Sequence, residues 1–310
     1  MAASSIKKAA IRRSGTQMAL RWLLRIFLYA WTITILFPMF WMIVTSLKTS
    51  FEFMNGNVWG WPQDLTFENF KTAWLDADMA KYTANTLFVV VLTLVLDFFI
   101  VTITSYVIGR YPYKWARFLE MFYFLCMMVP GALLLVPQYF QIYNLGEVLD
   151  NIIRNITGNP DFTLHLTDNL VTLGVIYSIG SLPGTTFLMV GFVKKIDKSF
   201  VEAAKIDGAR EWYVFSKIVL PFVKPIVFYH VISKFMGTWN EYLTALTFLN
   251  GEEYYTISVG IQKLINKYTY QSNYGAIFAG LCISMLPILI IYIVFQKQIQ
   301  NGTDMGEGLK

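Results

Sequence analysis

Long stretches without charge leave this chain few folds to choose from. Ile26 to Leu47 runs for 22 residues with no charged residue, which as a helix is long enough to cross the hydrocarbon layer of a bilayer. Five more apolar runs follow: Leu87 to Ile108, Met121 to Leu145, Leu170 to Val193, Phe222 to Leu249 and Asn273 to Phe295. Hydrophobic residues make up 55% of the chain and charged ones only 15%, outside the range of an ordinary soluble domain. The fold class expected is an all-α integral membrane protein with six transmembrane helices. Pro38 should bend the first span. Pro130 and Pro137 interrupt the third, and Gly180, Pro183, Gly184 and Gly191 allow close contacts or a break in the fourth.

Charge placement predicts the orientation. Residues 1–25 are basic (Lys7, Lys8, Arg12, Arg13, Arg21 and Arg25). No small-residue cleavage site follows the first apolar run, so it reads as an uncleaved span, not a signal peptide. With the N-terminus inside, the inner segments hold most of the Lys and Arg. Six precede the first span, three follow the second, seven lie in residues 194–224 and two in the tail. The outer segments hold six, and Lys234 lies within a span. That bias obeys the positive-inside rule and puts both termini in the cytoplasm of a multi-pass cell-membrane protein. Outside are expected a tryptophan-rich interfacial segment (48–84, with Trp59, Trp61 and Trp74), a small insertion at 146–169 and a tyrosine-bearing polar loop at 250–272.

Several function classes fall away. The net charge of +5 is spent on topology, so no nucleic-acid partner is implied. Cys126 and Cys282 each lie in an apolar run and read as small packing residues, not a disulfide or metal site. His165 and His230 show no metal-ligand spacing. The chain contains no Gly-x-x-x-x-Gly-Lys phosphate loop, so it cannot itself be an ATPase.

Two charges stand inside the membrane, Asp97 in the second span and Lys234 in the fifth. Each alone is costly there and should face protein or water. Matched depth and opposite sign suggest that they pair; alternatively each finds hydroxyl or amide partners by itself. His230, Lys234, Thr238 and Glu241 recur at i, i+4, i+8 and i+11, one polar stripe on a helix. The stripe could wall a hydrated passage or satisfy itself against a second subunit. Gln138, Tyr139, Tyr143, Asn240 and Tyr242 offer the hydroxyl-pairing and aromatic groups that sugars need, although such residues also form interfacial belts.

Between the fourth and fifth spans, Ser199 can cap a short helix and Glu202 return the hydrogen bond in a capping box. Phe200, Ala203 and Ala204 fall on or near one face, and Gly208 sits where a left-handed residue ends the helix. Such a stub suits a knob that docks in a partner's groove; a plain connector is the alternative. Glu202-Ala203-Ala204, three residues, Gly208, nine residues, then Ile218-x-Leu220-Pro221 resembles the EAA loop of ABC importer permeases. Trp239-Asn240-Glu241 in the next span narrows the likeness to the carbohydrate (maltose-type) family and its smaller membrane subunit. The resemblance spans roughly residues 20–300, although the 146–169 insertion is longer than the family's usual link.

The resemblance implies a type I importer permease fold with a cytoplasmic coupling helix. Phe200, Glu202, Ala203, Ala204, Asp207 and Gly208 would couple to an ATPase, and Asp97, Gln138, Tyr139, Lys234, Asn240, Glu241 and Tyr242 could line the path. It also implies a second homologous permease, two ATP-binding subunits and an extracellular solute-binding protein, with ATP and Mg held by the ATPase subunits and no cofactor in this chain. The cargo implied is a di- or oligosaccharide; an amino acid, peptide or oxyanion is the second reading, and an ion-coupled carrier using Asp97, Lys234 and Glu241 the third. The chain then divides into a cytoplasmic segment (1–25), the first span with its outer interfacial segment (26–84), a permease core (85–295, coupling loop 194–221) and a tail (296–310).

Overall fold

Helices make every regular element among the residues described by the computed structural model, 15–304 apart from Pro112. Most of the basic N-terminal segment and the end of the tail lie outside the described residues. Helix α1 (Gly15–Ser46) is followed by α2 (Ser50–Met54) and α3 (Glu68–Lys71), which continues through a π-helical stretch, Thr72–Asp76. Then come α4 (Met79–Arg110), α5 (Lys114–Met127), α6 (Gly131–Thr157), α7 (Leu170–Lys195) and α8 (Lys198–Ile206). Short α9 (Glu211–Tyr213) leads through a second π-helical stretch into α10 (Leu220–Asn240), and α11 (Leu243–Phe248), α12 (Ile257–Tyr270) and α13 (Tyr274–Asp304) complete the chain.

Five of these are long and apolar enough to span a membrane: α1, α4, α7, the α9–α10 run and α13. Helix α4 is rich in Val, Ile and Thr, which favour strands in water. A segment in lipid must satisfy its backbone internally, so it is helical nonetheless. The expected third span, Met121 to Leu145, is not one rod. Its residues divide between α5 and α6, which meet at 104°. Pro130 lacks an N–H and biases Val129 away from helical backbone, so the break falls there.

Helices α4 and α7 pack along their length, α10 lies against α4 and α13, and α1 joins at the edge against α13. The α4–α7 approach is close enough that a Cβ on Gly174 would stand 2.8 Å from Leu92. Thr93 Oγ1 donates to the Gly174 carbonyl across the same contact (3.2 Å). Such small-residue contacts and interhelical hydrogen bonds hold helices together where lipid removes the usual hydrophobic drive.

One further expectation needs correction. The segment 250–272, expected as a polar outer loop, contains α12, whose Ile257, Gly260, Leu264 and Tyr268 are buried at helical spacing under α4 and α13. The 146–169 insertion is helical as far as Thr157, since α6 simply continues. In the 48–84 segment, fully buried Lys48 donates to the Asn57 and Val58 carbonyls (2.7 and 3.1 Å). That tie folds the loop back, so Trp59 and Trp61 rest on Phe37, Phe40 and Trp41 of α1.

Candidate functional site

Helix α8 is tied at both ends. Asp197 is its cap, accepting from the Ser199 N–H at 2.9 Å. Ser199 therefore lies inside the first turn, and the capping box with Glu202 does not form. The longer Asp side chain, placed outside the helix, reaches an unpaired N–H and suits the positive end of the dipole. Hydrogen bonding from Ser199 holds the Asp197 carboxyl below the usual carboxylate range.

At the other end Gly208 has φ +80°. Its N–H donates to the Lys205 carbonyl (3.0 Å), and the Ala209 N–H reaches back to that of Ala204 (2.9 Å). This is a Schellman closure, which favours glycine at the left-handed position.

One face of α8 is anchored and the other free. Val201 is buried with Val193, Val214, Phe215 and Val219. Phe200, Ala203, Ala204, Asp207, Gly208, Tyr213 and Lys217 line an open hollow of about 700 Å³. Ile206 is 87% exposed.

A strut missed by sequence reasoning braces the loop. Lys205 pairs with Glu211 at 2.6 Å, and Tyr106 of α4 donates to the same carboxylate at 2.9 Å. The Lys205 ammonium also sits 5.2 Å from the Tyr111 ring centre. Its pairing with Glu211 raises the Lys205 pKa. Lys205 and Glu211 lie on separate helices across the Gly208 turn, and Tyr106 is 105 residues from Glu211, so no local pattern announced them.

The intramembrane charges form a second constellation. Asp97 is fully buried on α4 and accepts from Ser178 and Ser181 of α7, the latter at 2.8 Å. From α10, His230 Nε2 stands 3.3 Å and Lys234 Nζ 3.9 Å from Asp97 Oδ2. Lys234 donates to the Tyr177 carbonyl at 2.6 Å. The two readings of these charges thus coexist in one network: an ion pair and separate hydroxyl or carbonyl partners.

His230, Lys234, Thr238 and Glu241 all line one cleft of about 280 Å³, with Tyr177, Ser181, Thr185 and Ser233 opposite or between them. Glu241 is structurally committed: it accepts from the Thr244 and Ala245 N–H groups (2.8 and 3.1 Å) and from the Tyr177 hydroxyl. Its carboxylate caps α11, so the fifth span ends at Asn240, not Leu249.

The remaining path candidates lie elsewhere. Asn240 turns to its own helix, donating to the Met236 carbonyl at 2.9 Å, and lines a separate cavity with Ser258 and Ser284. Tyr139 packs edge-on against Phe248 and beside Tyr143, and Tyr242 is half-buried in the same apolar cluster. Gln138 sits half-buried on α6. Trp239 is a core residue, stacked on Phe235 and donating to the Ser284 carbonyl at 3.0 Å.

Against known proteins, the sequence profile described as "Binding-protein-dependent transport system inner membrane component" matches residues 101–303. The chain belongs to that family. The match takes in α8, its Schellman turn and the whole α10 wall of the cleft, while Asp97 lies just ahead of it. As a member, the permease is a multi-pass inner-membrane subunit of an ABC transporter and not an enzyme.

The diacetylchitobiose uptake system permease NgcG of Streptomyces coelicolor is 28% identical, with 90% of this chain and 86% of the relative covered. The maltodextrin transport system permease MdxG of Bacillus subtilis is likewise 28% identical, with 91% and 93% covered. A solved bacterial alginate importer contains a chain that superposes with a TM-score of 0.77 at 22% identity, covering 92% of the permease and 98% of that chain. The expected all-α importer fold is therefore present, with five continuous candidate spans and the expected third run divided between α5 and α6.

Proposed function

We propose that this permease forms half of a sugar-conducting path and takes its power stroke through α8. The observation that carries the reading is the asymmetry of α8, with Val201 keyed into the core and Ala204 half-buried against it, while Phe200 and Ala203 stay exposed beside an open hollow and Ile206 projects freely. A rigid peg with a free apolar face suits a cleft in a separate nucleotide-binding subunit. The positive-inside bias supports a cytoplasmic position for it and for both termini. The chain has no phosphate loop, so ATP and Mg belong to that partner. A second permease, two such ATPases and an external binding protein complete the assembly.

Sugar cargo is supported by the systems named for NgcG and MdxG, which carry diacetylchitobiose and maltodextrin. The cleft suits it too, since Thr185, Ser233 and Thr238 add hydroxyl groups to its lining, while those of Tyr177 and Ser181 are donated to Glu241 and Asp97. A proton relay is disfavoured because Glu241 is engaged by three donors.

The test is co-purification of the tagged permease with its ATP-binding subunit. Ala203→Arg, which puts a long charged side chain on the free face, should abolish capture while the permease still elutes as a folded peak. Undiminished capture by this variant would refute the docking role.

A further inference from the structure

We propose that the cleft where α4, α5 and α7 meet, beside α8, binds a phosphate group, carried by an anionic lipid or free in solution. This does not rest on the import reading. The cleft, about 370 Å³, is lined by Arg110, Lys114, Arg117, Lys194 and Lys198 against one carboxylate, Glu120. Lys194 and Glu120 neutralise one another at 2.5 and 2.6 Å. Asp197, the other acid near Arg110, already accepts from the Ser199 N–H. A surplus of positive charge remains.

Arg110 gives the site its shape. Its Nη1 donates to the Ile196 carbonyl at 3.0 Å. Nε and Nη2, both buried, have no acceptor among the described residues. These two N–H groups share one edge of the guanidinium, the fork that meets two oxygens of a phosphate side-on. Buried donors without partners are costly, so a shift of the Arg110 side chain that opened this edge to an anion in the cleft would satisfy what the protein leaves open. Lys114 and Arg117 are exposed at the mouth. On the same helix Trp115 is 75% and Phe118 57% exposed, aromatic residues of the kind that sit at headgroup depth. A lipid phosphate could thus reach the cations while its chains run beside α5.

The experiment uses the full-length permease in nanodiscs of phosphatidylcholine, with and without phosphatidylglycerol, and reads retained lipid by native mass spectrometry. A parallel arm follows thermal unfolding in detergent with inorganic phosphate. We expect phosphatidylglycerol to be retained over phosphatidylcholine, and Lys114→Gln/Arg117→Gln to weaken retention about tenfold. Both residues are exposed, so that variant should fold. Arg110→Lys keeps the charge but loses the fork and should weaken retention severalfold.

Phosphate protection of the wild type, absent in the double variant, would assign the site to free phosphate. Its absence beside retained phosphatidylglycerol would assign it to lipid. Equal retention of both lipids with no phosphate effect, or retention unchanged in the double variant, overturns the site.

Discussion

Gly208 and Asp97 show how single residues act here through opposite means. At Gly208 a Cβ would meet nothing within 4 Å, so space is not the constraint; φ +80° is. Gly208→Ala should therefore fold but lose about 1 kcal/mol, seen as a lower unfolding temperature of the purified permease. A much larger loss would mean that the φ of +80° is not the only constraint at this position.

Asp97 is constrained by its partners. Asp97→Asn keeps an acceptor oxygen for only one of Ser178 and Ser181, which bond different carboxylate oxygens, and leaves the Lys234 charge uncompensated. Asp97→Asn and Lys234→Gln should each reduce folded yield, and the double variant should recover part of it. A coupling of about 1 kcal/mol or more in a thermal double-mutant cycle is expected. Strict additivity would show that the 3.9 Å approach carries no interaction. Both residues stood out as charges in apolar runs, whereas Ser178 and Ser181 did not, because hydroxyls are common in such helices.

Among the elements, α8 depends on its caps more than on its length. Nine residues form a marginal helix alone, so Asp197, the Schellman turn and buried Val201 must hold it. The folded-state pKa of Asp197 lies below its ordinary value of 3.8. Its contribution is then fully present above that value and fades as pH falls through the folded pKa. Capture of the ATP-binding subunit should thus not weaken between pH 8 and pH 5 through this cap. Asp197→Asn, which keeps an acceptor, should capture better than Asp197→Ala at pH 7; equal capture by the two would remove the cap from the account. The Lys205–Glu211 pair is half-exposed and worth little by itself. Its use is to tie α8 to Tyr106 on α4 across the Gly208 turn. The α5–α6 bend belongs to this scale too: Pro130 was visible, but a proline reports a possible break, and the angle depends on what each half packs against.

For the molecule as a whole, the surface is the telling feature. The apolar window of α1 has no buried residue, and α6 keeps Leu133, Val136, Phe140, Val148 and Ile156 exposed. Patches of this size belong against lipid or another subunit. A chain built so should move no solute by itself. In liposomes holding only this permease, a proton or sodium gradient should drive no sugar uptake, whereas the complete assembly with ATP should. Gradient-driven uptake by the lone chain would return the ion-coupled carrier to first place.

By itself the sequence determined what local chemistry can specify. It set the number of apolar runs, the charge bias between their connections, the left-handed stop at Gly208 and the repeat of anchors around it. Each follows from one residue's backbone freedom or from transfer of a side chain out of water, which depends little on distant neighbours. Only the tertiary structure decided that Glu241 caps α11, that Asn240 faces a cavity apart from Lys234, and that Asp97, His230 and two serines share one network. It also left one edge of Arg110 unpaired beside a basic cleft. Those outcomes depend on which helices meet, through contacts such as Gly174 against Leu92, and no short stretch of chain encodes such a meeting.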